Sequence, residues 1–288
     1  MPRTISVSKR FASEQVAPGV NLERLYPGGR LGPNREVISH FPGGQVWSDL
    51  VVVGDAKTDP FQLAVPDIRL PSNQIWPLHW HGCWVGIVIL EGDCMIGDWW
   101  MQSGDLLIAA ADIEYGPLLI GPHGCRMFEI FAKLHLQSGG YSLEYRDHPT
   151  LQDGAYPFNF AERTGVNKRN EGRQVLPIEG VDGFVKGKLT AGSQWDLGEP
   201  ADPDRGVMRV IGLSSGEAAP AHRYSDWHTL MVMDGQIQLA GRTLGKDDYL
   251  LAQPNGHIDE MRAGQNGAVI LEVVRTARGM ESTSSRKS

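Results

Sequence analysis

Two nine-residue stretches, PLHWHGCWV from Pro77 to Val85 and PAHRYSDWH from Pro220 to His228, open the same pattern twice in one chain. The first continues through Leu90-Glu91-Gly92, Gly104-Asp105 and the GPHG turn at 121–124 to Phe128-Glu129. The second continues through Met233-Asp234-Gly235, Asp247-Asp248 and the GQNG turn at 264–267 to Leu271-Glu272. His222 lies 143 residues after His79, and the same separation relates Gly235 to Gly92, Asp248 to Asp105, Gly267 to Gly124 and Glu272 to Glu129. A constant offset held over roughly fifty residues implies one structural unit built twice, with strand and turn lengths retained.

Around these repeats the composition is that of a globular β-protein. The 288 residues leave room for two modest domains, each with its own core. The 35 glycines and 18 prolines fall between short apolar runs, which favours many strands and tight turns over long helices. A net charge of −7, with Lys and Arg scattered, argues against nucleic acid or an anionic membrane as a partner. Three cysteines (Cys83, Cys94 and Cys125) without metal-finger spacing suit a reducing compartment. The start MPRTISVSKRFASEQ lacks the apolar segment of a secretory leader, and no stretch reaches the roughly eighteen apolar residues of a membrane span. The expectation is a soluble cytoplasmic protein.

Strand-like runs of about four to eight residues, bounded by Gly, Pro, Asp or Asn, occupy VWSDLVVVGD, FQLAVPDIRLP, WVGIVILEGD, GDLLIAAA and CRMFEIFAKLHL. They resume at GFVKGKLTA, GVMRVIGLSS, HTLMVMDGQIQLAG, DYLLAQ and AVILEVVRT. These runs divide the chain into an N-terminal arm (1–40), a first barrel (41–135), a connector (136–180), a second barrel (181–277) and a disordered tail (278–288). The connector carries Tyr141, Tyr145, Tyr156, Phe158 and Phe160, which suits a packed segment better than a tether.

With His79-x-His81, the Gly92 turn, Gly104-Asp105 and their second-copy partners His222, Gly235 and Asp247-Asp248, the chain resembles the cupin superfamily, and as a tandem pair it resembles a bicupin. The resemblance covers roughly residues 60–132 and 203–275. It implies an all-β fold of two tandem cupin barrels (double-stranded β-helix, or jelly roll). It also implies one divalent metal per barrel, held by two His, a Glu and a third His. Residues two or four apart on a strand share a face, so such ligands converge on the barrel interior. Carried over position by position, the first barrel keeps His79 and His81 but has Val85 for the Glu and Tyr115 for the third His. The second keeps His222 and has Tyr224, His228 and Ile258 at the other three positions.

Local substitutes complete both sets. In the second barrel His257 stands one residue before Ile258, and a turn shortened by one residue would bring it to His222 and His228, with Tyr224 beside them. In the first, His79, His81 and Glu114 would form a two-His-one-carboxylate site, with Cys83 on the same strand face. Fe(II) is the leading metal, with Zn(II), Mn(II) or Ni(II) as alternatives. Plainer readings stand beside these. The first barrel's histidines suit a retired site or a metal-free pocket equally well. The second barrel suits a hydrogen-bonded His/Tyr/His pocket, and Cys83 an ordinary buried thiol. Glu129 and Glu272, repeated on the last strand, read as a duplicated salt bridge or rim contact.

The function implied is a metal-dependent oxygenase acting on a small organic substrate, aromatic or carbonyl-bearing, with Trp80, Trp84, Trp99, Trp100 and Trp227 near the two motifs as candidate lining. Tyr224, Tyr115 and Glu114 are the candidate catalytic groups, and Asp226 a candidate to orient a ligand imidazole. A metal-dependent isomerase or lyase, with Tyr224 or Tyr115 as acid or base, is a second reading. A non-catalytic metabolite sensor is a third. The resemblance also allows a homo-oligomer, because exposed barrel edges are often covered by a second subunit. Phosphate-binding loops, dinucleotide fingerprints, nucleophile elbows and H-E-x-x-H motifs are absent from the sequence.

Overall fold

The computed structural model describes residues 12–24, 36–41, 44–53, 63–72, 75–76, 81, 83–113, 115–132 and 177–280. In chain order the strands are β1 (Ala12–Ala17), β2 (Val20–Arg24), β3 (Glu36–Phe41), β4 (Gly44–Val53), β5 (Leu63–Leu70), β6 (Ile75–Trp76), β7 (Val85–Ile96), β8 (Trp99–Gln102) and β9 (Asp105–Ala109). They continue with β10 (Leu118–Phe131), β11 (Phe184–Lys188), β12 (Gln194–Leu197), β13 (Gly206–Leu213), β14 (Ala218–Ala219), β15 (His228–Leu239), β16 (Arg242–Gly245), β17 (Asp248–Ala252) and β18 (Met261–Val274). A short 3-10 turn, Ala277–Met280, follows β18. No helix among the described residues is long and apolar enough to cross a membrane.

The duplication read from the sequence extends to every strand of the core. β5 to β10 and β13 to β18 have the same lengths, and each begins 143 residues after its counterpart. Both copies are antiparallel with the same neighbours. In the first unit β5, β10, β7 and β9 lie side by side, with β6 on β10 and β8 on β7. In the second unit β13, β18, β15 and β17 repeat that order, with β14 on β18 and β16 on β15. The fold is all-β, two tandem cupin-type jelly rolls, as the repeat implies.

Each repeat by itself leaves β9 or β17 with an unpaired edge of N–H and C=O groups, and a segment from outside the repeat covers it. β11 pairs with β9 through Phe184↔Ala109 to Lys188↔Asp105. β2 pairs with β17 through Asp248↔Arg24 to Ala252↔Val20, and β1 pairs with β2. The stretch 1–40 is therefore not an arm in its described parts, since it supplies β1 and β2 to the second unit and β3 to the first. In the same way β11, expected within the second barrel, belongs to the first. The described start of the expected tail, 278–280, lies in the 3-10 turn, while 133–176 and 281–288 are outside the described residues.

The identical residues of the two copies have local physical reasons. Gly92 and Gly235 sit at φ of 71° and 72°. A Cβ at Gly92 would lie 2.0 Å from the Gly124 carbonyl oxygen, and one at Gly235 would lie 2.2 Å from that of Gly267. In each copy two paired strands thus touch backbone to backbone at an irregularity in their register, β7 on β10 and β15 on β18. The glycines lie within these strands and not in a hairpin turn as the sequence suggested; only glycine permits this approach. Asp105 Oδ2 accepts from the Gln102 N–H at 2.9 Å, and Asp248 Oδ2 accepts from the Gly245 N–H at 2.9 Å, closing the same turn in each copy. Alternate residues then fill the interior. In the second unit Leu230, Val232, Ile237, Leu250, Met261 and Ile270 form part of one buried cluster, each contributing about 1.5–3 kcal/mol by burial.

Gly235→Ala is expected to destabilise the second unit by roughly 3–5 kcal/mol, adding overpacking to a disfavoured φ. Gly241→Ala, at φ 76° but with nothing within 4 Å of the added Cβ, should cost only about 1–2 kcal/mol. Thermal unfolding of the two variants compares them directly, and equal losses would mean that the close approach is not a constraint.

Candidate metal centre

Four elements of the second unit bring the site together. His222 follows β14 and is tied to Ile258 by a reciprocal pair of backbone hydrogen bonds, each 2.9 Å. Tyr224 lies two residues on, and its carbonyl accepts from the Asn255 N–H at 2.7 Å. His228 opens β15, opposite Val274 of β18, while Glu272 lies opposite Leu230 of β15 and Arg209 of β13. Directly paired residues in an antiparallel sheet share a face. His228, Glu272 and Arg209 are therefore on one side.

The loop that carries His222 and Tyr224 into β15 is anchored by Asp226, a buried carboxylate. Its Oδ1 accepts from the Trp227 N–H and from Arg275 Nε, each at 2.7 Å, and its Oδ2 accepts from Thr276 Oγ1 at 2.5 Å. The Asp226 backbone carbonyl, rather than its carboxylate, faces His228 Nδ1 at 3.5 Å. This contact assigns the proton to Nδ1 and leaves the Nε2 lone pair facing inward.

His222, His228 and Glu272 each present a donor atom, and these atoms lie within 4.8 Å of one another. Glu272 and His228 are fully buried and Tyr224 is nearly so. His222 Nε2 meets Glu272 Oε1 at 3.1 Å, Tyr224 donates to Glu272 Oε2 at 3.3 Å, and Arg209 donates through Nε to Glu272 and through Nη2 to the Tyr224 hydroxyl. Among the described residues, His228 Nε2 has no hydrogen-bond partner.

Protonation states follow from these contacts. Burial pushes His228 down to about 4, so its imidazole is neutral at physiological pH. Burial pushes the Glu272 carboxyl up, but the His222 hydrogen bond and the Arg209 charge outweigh it, and the group ends below the usual carboxylate range. Burial raises the Tyr224 phenol well above its ordinary value, so it remains protonated and acts as a donor.

The expected ligand set changes in one member. His257 does not reach the cluster. Its side chain is 56% exposed and its Nε2 lies 3.4 Å from Asp259. The turn is not shortened: β17 ends at Ala252 as β9 ends at Ala109, the Gly256 N–H closes on the Gln253 carbonyl at 2.8 Å, and Ile258 takes the inward position. Alternation then turns His257 toward solvent. Glu272 stands in its place. The signal for it was the glutamate repeated on the last strand. Arg209 had no such signal, because its pairing with Glu272 is set by strand register.

In the first unit His79 and Glu114 lie outside the described residues. His81 and Tyr115 are brought together, His81 Nε2 lying 2.9 Å from the Tyr115 hydroxyl, and the imidazole packs edge-on against Phe131. Burial raises the Cys83 thiol to about 12, aided by Asp112, so it does not present a thiolate. Glu129, the counterpart of Glu272, is buried at 5% exposure, and desolvation raises it to about 8. At Glu272 the His222 hydrogen bond and then the Arg209 charge hold the carboxylate ionised, and in the first unit Pro66 stands at the position of Arg209.

No family model matches the sequence, and none of the curated proteins matches it. Solved structures do match in fold. Protein Ylba from Escherichia coli aligns with 96% of this chain and 97% of its own at 11% identity and a TM-score of 0.54. A nickel(II) complex of the bacterial pirin YhhW from Escherichia coli aligns over 89% of this chain and 99% of its own, with 12% identity and a TM-score of 0.52. A candidate dioxygenase from Nostoc punctiforme aligns over 86% and 79%, with 14% identity and a TM-score of 0.53. At these identities the shared property is the fold alone, an all-β chain of two jelly-roll units.

The Glu129 shift predicts a pH dependence. A carboxyl at about 8 when folded and near 4.5 when unfolded stays protonated in the native state while the unfolded chain ionises. Its stabilising contribution is complete below about pH 4.5 and is lost as pH rises toward 8. In metal-free protein, Glu129→Gln should therefore raise stability at pH 8 by on the order of 3 kcal/mol and change it little at pH 4.5. Parallel unfolding curves for wild type and variant across that range would refute the assignment.

Proposed function

We propose that the second unit is a divalent-metal centre held by His222, His228 and Glu272, and that the protein is an oxygenase acting on a small organic molecule. The observation that carries this reading is His228 Nε2, a buried imidazole nitrogen without a partner among the described residues, in a group whose donor atoms lie within 4.8 Å. Leaving such a group unsatisfied costs about 1–3 kcal/mol, and a metal ion would satisfy it. Two imidazoles and one carboxylate, with further positions open, are the donor set suited to Fe(II) oxygenases, and Zn(II), Mn(II) or Ni(II) can use the same atoms. When bound, the ion would supply Lewis-acid polarisation and a meeting place for substrate and O₂.

The chain's own residues have separate tasks in this reading. His228 contributes a neutral nitrogen with its tautomer set by the Asp226 carbonyl. Glu272 contributes a carboxylate that the His222 hydrogen bond and the Arg209 charge keep ionised. Tyr224 stays protonated and donates its O–H to Glu272, and it is no candidate for a general base. The nickel of the pirin structure and the designation of the Nostoc protein accord with a metal-centred reading, which rests on the donor set.

Elemental analysis of purified or metal-loaded protein tests the proposal. About one equivalent of metal is expected in the second unit. His228→Ala and Glu272→Ala should each weaken binding at least ~10-fold, a typical cost of losing one ligand or its support, while His257→Ala should bind as wild type does. A wild-type chain that takes up no divalent metal, or an equal loss in all three variants, would overturn the centre. Oxygen consumption by the iron-loaded chain on substrate addition then separates oxygenation from isomerase or lyase chemistry.

A further inference from the structure

Building on that metal reading, we infer that Arg209 anchors a carboxylate of the substrate, so that the centre accepts small organic acids. A guanidinium has five N–H donors on two usable edges. Arg209 uses one edge internally, Nε to Glu272 and Nη2 to the Tyr224 hydroxyl. Its outer edge, Nη1 with the second N–H of Nη2, has no acceptor among the described residues, and the side chain is 32% exposed. That edge matches a carboxylate in the two-bond geometry for which arginine is suited.

Accessibility points the same way. His228 and Glu272 are fully buried, whereas His222 is 18% and Arg209 32% exposed. A ligand approaching the donor cluster therefore meets the His222 and Arg209 side of it. The Tyr224 hydroxyl contacts both Arg209 and Glu272, and its ring lies 5.7 Å from the guanidinium carbon.

Charge counting supplies the independent argument. Arg209 and Glu272 pair with no net charge, and imidazoles that ligate a metal do so in the neutral form. A divalent ion would therefore leave about two uncompensated positive charges in a partly buried site, a state that an anion relieves. A carboxylate with a neighbouring oxygen meets both needs, one group on Arg209 and the other toward the donor cluster. The first unit lacks this element, because Pro66 stands where Arg209 would be.

The test is calorimetric titration of the full chain with pyruvate and with its neutral ester, methyl pyruvate, in Co(II)-loaded and metal-free protein. Wild type should prefer pyruvate, and Arg209→Gln should lower pyruvate affinity at least ~10-fold more than it lowers methyl pyruvate affinity, the scale expected for a lost charge-assisted pair. Arg209→Lys, which keeps the charge but loses the two-pronged edge, should fall between the two and guards against misfolding of the glutamine variant. Pyruvate binding that is the same in wild type and both variants overturns the anchor. Failure of wild type to bind Co(II) overturns the metal reading instead. In that case an Arg209-dependent preference for pyruvate in metal-free protein still upholds the anchor, and its absence overturns the anchor as well.

Discussion

The contact on which this structure depends is the close backbone approach of two paired strands, Gly92 to Gly124 in one unit and Gly235 to Gly267 in the other. These contacts allow no side chain, so they hold β7 against β10 and β15 against β18 in one register. Register then decides which alternate residues enter each interior. A slip of one residue would exchange Glu272 and His228 for Leu271 and Thr229. The site is thus a consequence of how glycine lets two strands meet some distance away.

The duplicated scaffold has diverged by substituting residues at fixed positions. Glu129 and Glu272 occupy the same place, yet one is driven toward neutrality and the other is ionised. The ionised one is held by the His222 hydrogen bond and by the charge of Arg209 on β13, where β5 has Pro66. Equally, His81 pairs with Tyr115 in the first unit, where Tyr224 and Ile258 stand in the second. A charged pair also separates the copies: Arg126 and Asp67, buried together at 2.8 Å, correspond to Val269 and Val210. Two interiors of one shape therefore offer different chemistry.

The strand-like runs, the repeated turn residues and the inward direction of His222 and His228 were legible in the chain, because alternation is local, Gly and Asp recur at one offset, and the cupin resemblance fixes which face is inward. His257 misled because its proximity in sequence to the missing ligand position suggested a shortened turn, whereas the Gln253–Gly256 hydrogen bond and the Ile258 pairing keep the turn at full length. Glu272 was visible as a repeat but not as a site residue. Its meaning depends on His222, fifty residues earlier, and on Arg209, which strand pairing alone puts opposite it. The edge strands were illegible for the same reason. Nothing in β2 or β11 names the strand whose open edge it covers.

The amino-acid sequence by itself determined the duplication, the β class and the equal lengths of corresponding strands, since a period of two and the demands of tight turns are written in neighbouring residues. Tertiary structure decided which carboxylate joins the two histidines, how each buried glutamate is charged, and which remote strands complete each sheet. Those outcomes depend on distances between residues far apart in the chain, and on burial, which exists only once the strands have packed.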